Sequence, residues 1–235
     1  MKVKLREKFL IPTVFVTVLG MLVIGYSAYV TSSSALRIAY ESQMCQLSEG
    51  LTKQLDAWIG ERQAEIAVAA MNSEFIALLA PDDMPNTPAL SNDIVRRMRE
   101  QYTFFADIGV IDLKGIVRAF TATEHVDRLD LSERDYFKEA VKGHATISRV
   151  FPNRVNGEPT FVIASPIHRD GEVVGVLFAG VELPRFSTAF IDPVQIGREG
   201  YAYLLDDQGI TLAHPNKDFI LDIDTSEFDF GKHML

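Results

Sequence analysis

The chain has 235 residues, 47% of them hydrophobic and 23% charged. That composition builds a core and excludes global disorder, which needs low hydrophobicity and a large net charge. A lone cysteine, Cys45, excludes an intrachain disulfide framework and a cysteine-rich zinc site, and a formal charge of -9 argues against a nucleic-acid partner.

The acid is unevenly spread. Lys2, Lys4, Arg6 and Lys8 stand against Glu7 alone at the N-terminus, and Phe9 to Val30 then runs 22 residues without a charge. A helix of that length spans about 33 Å, enough for a hydrocarbon core of about 30 Å. Pro12 falls in its first turn, where a missing amide proton costs little. Tyr26 and Tyr29 mark its far end, where amphipathic rings favour the membrane interface. Basic residues ahead of the span place the N-terminus in the cytoplasm and the acidic bulk outside. A cleaved signal peptide is the rival reading. Its apolar core should be shorter, about 7–15 residues, with a small-x-small site after it, and Ser27-Ala28-Tyr29 is a poor one.

After Thr31 to Ser34, apolar residues recur at Leu36, Tyr40, Met44, Leu47, Leu51, Leu55 and Trp58, an eleven-residue repeat that holds one stripe on one helix face. Ile66 and Ala69 continue it, with Arg62 the exception. The pattern predicts a helix from near 35 to near 79, continuous or nearly so with the anchor. It serves as a dimerising stalk, as a cover for the domain's own sheet, or as both on different faces. Pro81, Pro85 and Pro88 predict a loop, and Ser91 is placed to cap a helix over about 91–102.

From Phe104 the period becomes that of strands, at about 105–112, 116–121, 145–151, 159–168 and 172–183, with a helix near 133–142. Lys114-Gly115 and Asp170-Gly171 supply the hairpin turns. The fold class is α+β: a transmembrane helix and a long stalk helix, then a five-stranded antiparallel sheet with helices on its faces. The first hairpin recurs. Val110-Ile111-Asp112 through Gly115-Ile116 matches Leu204-Leu205-Asp206 through Gly209-Ile210, 94 residues later. Such a match marks the start of a second, similar module or a common hairpin chemistry.

Asp130 to Ala140 carries the clearest hint of a site. Ser132 and Asp135 stand in capping-box positions, and a helix start offers free amide protons to an anion. Arg134 adds a planar fork suited to a carboxylate, and Tyr136 and Phe137 add an aromatic wall. The bland alternative is a surface helix whose Arg134 pairs with Glu133, Asp130 or Glu158. No paired histidines, nucleophile elbow or phosphate loop are present, so no metal, cofactor or enzymatic activity is expected. His214 before Pro215 reads as structural. Cys45 reads as a packing residue of the long helix or a bridge across a dimer.

The N-terminal anchor, the long helix, the Ser132-Glu133-Arg134-Asp135-Tyr136-Phe137 helix start and Gly175-Val176-Leu177 together resemble the double Cache (dCache) sensor domain. Tyr201 to Asp206, then Gly209 to Pro215, is similar to the start of that family's membrane-proximal module. The resemblance covers about residues 35–220. It implies a PAS-like fold in the extracytoplasmic part of a bacterial inner-membrane receptor, most often a methyl-accepting chemotaxis protein. A histidine kinase or diguanylate cyclase sensor, or a membrane-anchored enzyme or scaffold, is the alternative. The implied organisation is a basic tail (1–8), a transmembrane helix (9–31), a stalk (32–80), a membrane-distal ligand-binding module (81–183), and a linker helix with an incomplete proximal module (184–235). The chain thus reads as a fragment or a truncated receptor, dimerised through the long helix.

The resemblance carries a carboxylate-holding role onto Arg134 and ligand-wall roles onto Tyr136 and Phe137, with Phe151 and Asn153 in the next strand element. Two departures bear on the ligand. The family's Tyr-x-Asp is Phe151-Pro152-Asn153 here, and its final-strand Asp aligns with Gly180, with Glu182 two residues on. With both acids missing, a small organic acid is expected over an amino acid.

Overall fold

The computed structural model describes the backbone of residues 5–79 and 88–222, and the side chains of residues 13–79 and 89–222. The proline-rich loop expected at 81–88 falls almost wholly outside the described residues. The chain divides into two units, residues 1–57 and 58–235.

The described part of the first unit is a single helix, the N-terminal part of α1 (Leu5–Ala69). Its N-terminal section is long and apolar enough to cross a membrane. Along the eleven-residue stripe, Leu36, Tyr40 and Leu47 are exposed, whereas Leu55, Trp58 and Ile66 are buried.

In the second unit, α1 ends at Ala69 rather than continuing to residue 79. Asn72 is the cause: its Oδ1 accepts the Glu74 amide at 2.9 Å and its carbonyl accepts the Phe75 amide at 3.1 Å, capping a separate helix α2 (Ser73–Leu79). Helix α3 (Pro88–Gln101) follows. It begins ahead of Ser91, so Ser91 is not its cap but a buried residue whose hydroxyl reaches the Glu74 carbonyl.

The sheet is antiparallel. Strands β1 (Asp107–Asp112) and β2 (Val117–Phe120) form the first hairpin. A helix α4 (Asp135–Ala140) intervenes, then short β3 (Thr146–Ile147) and β4 (Phe151–Pro152) share one edge of β5 (Pro159–Arg169), which turns into β6 (Glu172–Glu182). The order is β2-β1-β6-β5-β3, so the expected five sheet positions are filled, with the outer one split between β3 and β4. At the split the Val162 amide donates to the Ser148 hydroxyl at 2.8 Å instead of to a strand carbonyl.

The two faces differ. Ile111, Phe120, Val162, Ala164, Val176 and Phe178 pack with Tyr136, Phe137 and Ala140 of α4. Gly109 makes this possible, since a Cβ there would lie 2.6 Å from Phe178 and 2.8 Å from Phe120. The other face carries α2, α3 and α5 (Leu183–Phe190). There Trp58 sits among Phe104, Phe186 and Phe190 at ring separations of 5.1–5.6 Å. Arg62, the exception in the stripe, keeps its place on α1 by pairing with Glu65 at 2.9 Å, its guanidinium 5.7 Å from the Trp58 ring centre.

After α5 come two two-stranded sheets, β7 (Gln195–Ile196) with β8 (Gly200–Tyr201) and β9 (Leu204–Leu205) with β10 (Thr211–Ala213). The β9–β10 hairpin repeats the β1–β2 hairpin in detail. Asp112 Oδ1 accepts the amides of Lys114 and Ile116 at 2.9 and 3.0 Å, and Asp206 Oδ1 accepts those of Gln208 and Ile210 at 2.9 and 2.8 Å. Gly115 and Gly209 take φ of 88° and 86°. The likeness outruns the sequence match: a 3-10 turn at Thr123–His125 has its counterpart at Lys217–Phe219. Asp127 and Leu221, also 94 residues apart, both adopt positive φ and donate their amides to Val117 and Thr211.

Candidate functional site

A cavity lies between the α4 side of the sheet and the β4–β5 hairpin. Its walls include Asp107, Phe120, Arg134, Tyr136, Phe151, Asn153, Arg154, Thr160, Phe178 and Gly180, and its volume is about 30 Å³, close to one water's share of the liquid. Four of the five expected residues, Arg134, Tyr136, Phe151 and Asn153, meet there. Phe137 does not. It is buried in the apolar cluster, because consecutive helical residues point about 100° apart and Tyr136 takes the cavity side.

The local chain geometry also departs from the expected capping box. The N-cap of α4 is Arg134, with no side-chain cap, and not Ser132. Ser132 instead serves Asp130, whose carboxyl is held below its ordinary range chiefly by the Ser132 amide. The carbonyl of Arg134 accepts the first helical amides, from Phe137 and Lys138. The pairs that would have made Arg134 a surface residue do not form among the described residues: Lys138 takes Glu133, and the Asp130 carboxylate accepts the Ser132 amide at 2.9 Å.

Arg134 therefore lies over Phe151, its guanidinium carbon 4.2 Å from the ring centre. Its Nε is buried and has no hydrogen-bond partner among the described residues. The Tyr136 ring stacks 6.0 Å from Phe151 at an interplanar angle of 14°. Burial pushes the Tyr136 hydroxyl up to about 12, against the opposing pull of the Arg134 and Arg154 charges. It is therefore a neutral hydroxyl at physiological pH.

Three groups in the cavity were not singled out in the sequence. Arg154 stands at the rim, exposed. Thr160 is buried on β5. Asp107, on β1, accepts from Asn153 Nδ2 at 3.0 Å and from the Thr121 hydroxyl at 3.3 Å. The signal for Asp107 was available in principle: it opens a strand whose next four residues are all buried. Glu182, considered for this role, caps α5 outside the cavity, accepting from Asn156 and pairing with Arg185.

The arrangement offers one unfilled guanidinium donor, a neutral hydroxyl, aromatic walls and one carboxylate. It suits a small polar anion. A few-carbon acid exceeds the present volume.

Among known proteins, the family model described as Cache domain (dCache_1) matches residues 32–232. No curated protein matches the sequence. Several solved structures share the fold. The sensor domain of the V. cholerae histidine kinase DctB is 16% identical with a TM-score of 0.64, covering 80% of this chain and 69% of that one. The ligand-binding domain of the Pseudomonas fluorescens chemoreceptor CtaA, in complex with L-alanine, is 19% identical with a TM-score of 0.60, covering 79% and 76%. That of the Pseudomonas aeruginosa amino acid chemoreceptor PctB, in complex with L-Arg, is 20% identical with a TM-score of 0.53, covering 73% and 68%.

Proposed function

We propose, from the premise that this chain belongs to the Cache domain family, that it is the ligand-sensing part of a transmembrane chemoreceptor and that it binds a small carboxylate in its first module. The apolar section of α1 anchors it in the inner membrane with the N-terminus cytoplasmic and the sensor outside. The exposed stripe of Leu36, Tyr40 and Leu47 pairs with a second copy. Residues 81–183 are the membrane-distal module. The repeated hairpin at Asp206 to Leu221 opens the membrane-proximal one.

One observation carries the ligand assignment: the buried, unpartnered Nε of Arg134 in a cavity walled by Phe151 and Tyr136. A guanidinium donor left unfilled in a low-dielectric site costs free energy that an anion recovers. Tyr136, Phe151 and Asn153 shape the rest of the site. A ligand acts as a signal only by binding two arrangements of the module unequally. The full chain in nanodiscs, titrated by calorimetry with two- to four-carbon acids, tests this. Saturable binding abolished in Arg134→Ala supports it. Equal affinity in that variant removes Arg134 from the site.

A further inference from the structure

Arg134 and Asp107 line the same cavity, yet no ion pair joins them, and neither carries an ion pair elsewhere among the described residues. Opposite charges in one small, half-buried space ordinarily close on each other. Here each is turned away: Arg134 is drawn over Phe151, and Asp107 is held by Asn153 and Thr121. The Asn153 amide is itself fixed, because its Oδ1 accepts the Val155 amide at 2.8 Å and so directs Nδ2 at Asp107.

Asp107 is registered opposite Gly180 across the β1–β6 pair. A Cβ built on Gly180 would stand 3.9 Å from Asp107 Cβ and 3.3 Å from Thr160. The bare backbone at Gly180 leaves the Asp107 carboxylate facing the cavity. Each of its oxygens accepts one bond and keeps capacity for another.

We infer that Asp107 is a specificity-determining residue, selecting carboxylic acids that carry a hydrogen-bond donor beside the carboxylate, a 2-hydroxy or 2-amino group, over plain acids. The ligand bridges the two poles that the protein keeps apart, its carboxylate on Arg134 and its donor on Asp107. A plain acid leaves Asp107 facing a methylene and gains nothing there. This inference rests on the carboxylate reading of Arg134.

The test uses the full chain in nanodiscs and three acids of one carbon count: propionate, lactate and alanine. Lactate or alanine should bind about tenfold or more tightly than propionate, the size of a hydrogen bond to a charged group. Which of the two leads distinguishes a hydroxyl from an ammonium donor. Asp107→Asn should collapse the preference to about twofold, since the amide accepts on one atom only. Gly180→Ala, in the otherwise natural chain, sets a Cβ 3.9 Å from Asp107 Cβ, where it covers the carboxylate, and should narrow the gap as well. That variant decides the matter should Asp107→Asn lose its cooperative melt. Propionate binding as tightly as the other two overturns the inference while sparing the carboxylate reading. So does a preference that survives Asp107→Asn, or one that Gly180→Ala leaves unmoved. Binding of none of the three overturns both.

Discussion

The guanidinium carbon of Arg134 lies 4.2 Å from the centre of the Phe151 ring, although the two residues belong to different elements, the cap of α4 and strand β4. The contact orients a permanent charge without filling its hydrogen bonds. A cation over an aromatic face is worth about 0.5–2 kcal/mol depending on desolvation, less than a charge-assisted bidentate pair with a carboxylate. On the proposed carboxylate reading, the ligand therefore outcompetes the ring for the guanidinium. Arg134→Lys keeps the charge but loses the planar fork, and should weaken carboxylate binding about tenfold or more. Phe151→Leu keeps an apolar wall and should weaken it by less. Calorimetry on both variants checks the order; a larger loss in Phe151→Leu would make the ring, not the fork, the main holder.

Tyr136 gives the alkaline side of the pH profile. Its hydroxyl is raised to about 12 in the folded chain by burial, while an unfolded tyrosine ionises near 10. Stability from this group is fully present below about pH 10 and is lost as pH rises toward about 12, by up to about 2–3 kcal/mol. Tyr136→Phe should therefore match the natural chain near neutral pH and exceed it increasingly above pH 10. Denaturant midpoints of the two proteins, compared pair by pair from pH 8 to 11.5, check the difference; parallel curves would show that Tyr136 is more solvated than its position implies.

Much of this was legible in the sequence, and the residues show why. The strands could be read because β5 and β6 are long and joined by a Gly-containing turn, whereas Arg134 stands out mainly through the resemblance of its helix start, the residues alone leaving a surface helix open. Reading failed where one side chain had several partners to choose from. Ser132 and Ser91 both look like caps, but Ser132 is engaged by Asp130 and Ser91 is buried beside Glu74. Asn72 ends α1 with no glycine or proline nearby. Asp107 lies far from Arg134 in sequence, and only sheet register brings it to the same cavity. The 94-residue repeat was visible over one turn. Its extension to Asp127 and Leu221 rests on backbone conformation, which those two unlike residues do not announce.

Trp58 and Arg62 give a prediction about the core. Trp58 is the single tryptophan of the chain, packed against Phe104, Phe186 and Phe190 with its Nε1 buried and without a hydrogen-bond partner among the described residues. Trp58→Phe removes that orphan donor and keeps most of the contact, and should cost about 1 kcal/mol or less. Arg62→Ala leaves Glu65 without its 2.9 Å partner. Both side chains are partly solvated, so the cost should be about 1–3 kcal/mol, below that of a fully buried pair. Denaturation followed by circular dichroism measures both. A larger loss for Trp58→Phe than for Arg62→Ala would mean that the indole fills space no phenyl ring can.

Gly115 and Gly157 share a positive φ, at 88° and 78°, and separate two costs of substitution. A Cβ on Gly157 meets nothing within 4 Å, so Gly157→Ala bears only the left-handed backbone penalty of about 1–2 kcal/mol. A Cβ on Gly115 would lie 2.4 Å from Ser132 Cβ and 2.6 Å from its backbone. The Gly115 carbonyl also accepts the Leu131 amide at 2.8 Å, tying this turn to the segment that delivers Arg134. Gly115→Ala must therefore push that segment outward, with a total cost of about 3 kcal/mol or more once overpacking is added to the backbone strain. It should also weaken carboxylate binding, which Gly157→Ala should leave nearer its natural value. Thermal melts and calorimetry on the two variants give a two-by-two comparison. Unchanged binding in a folded Gly115→Ala chain would show that Arg134 keeps its place through Phe151 and α4 alone.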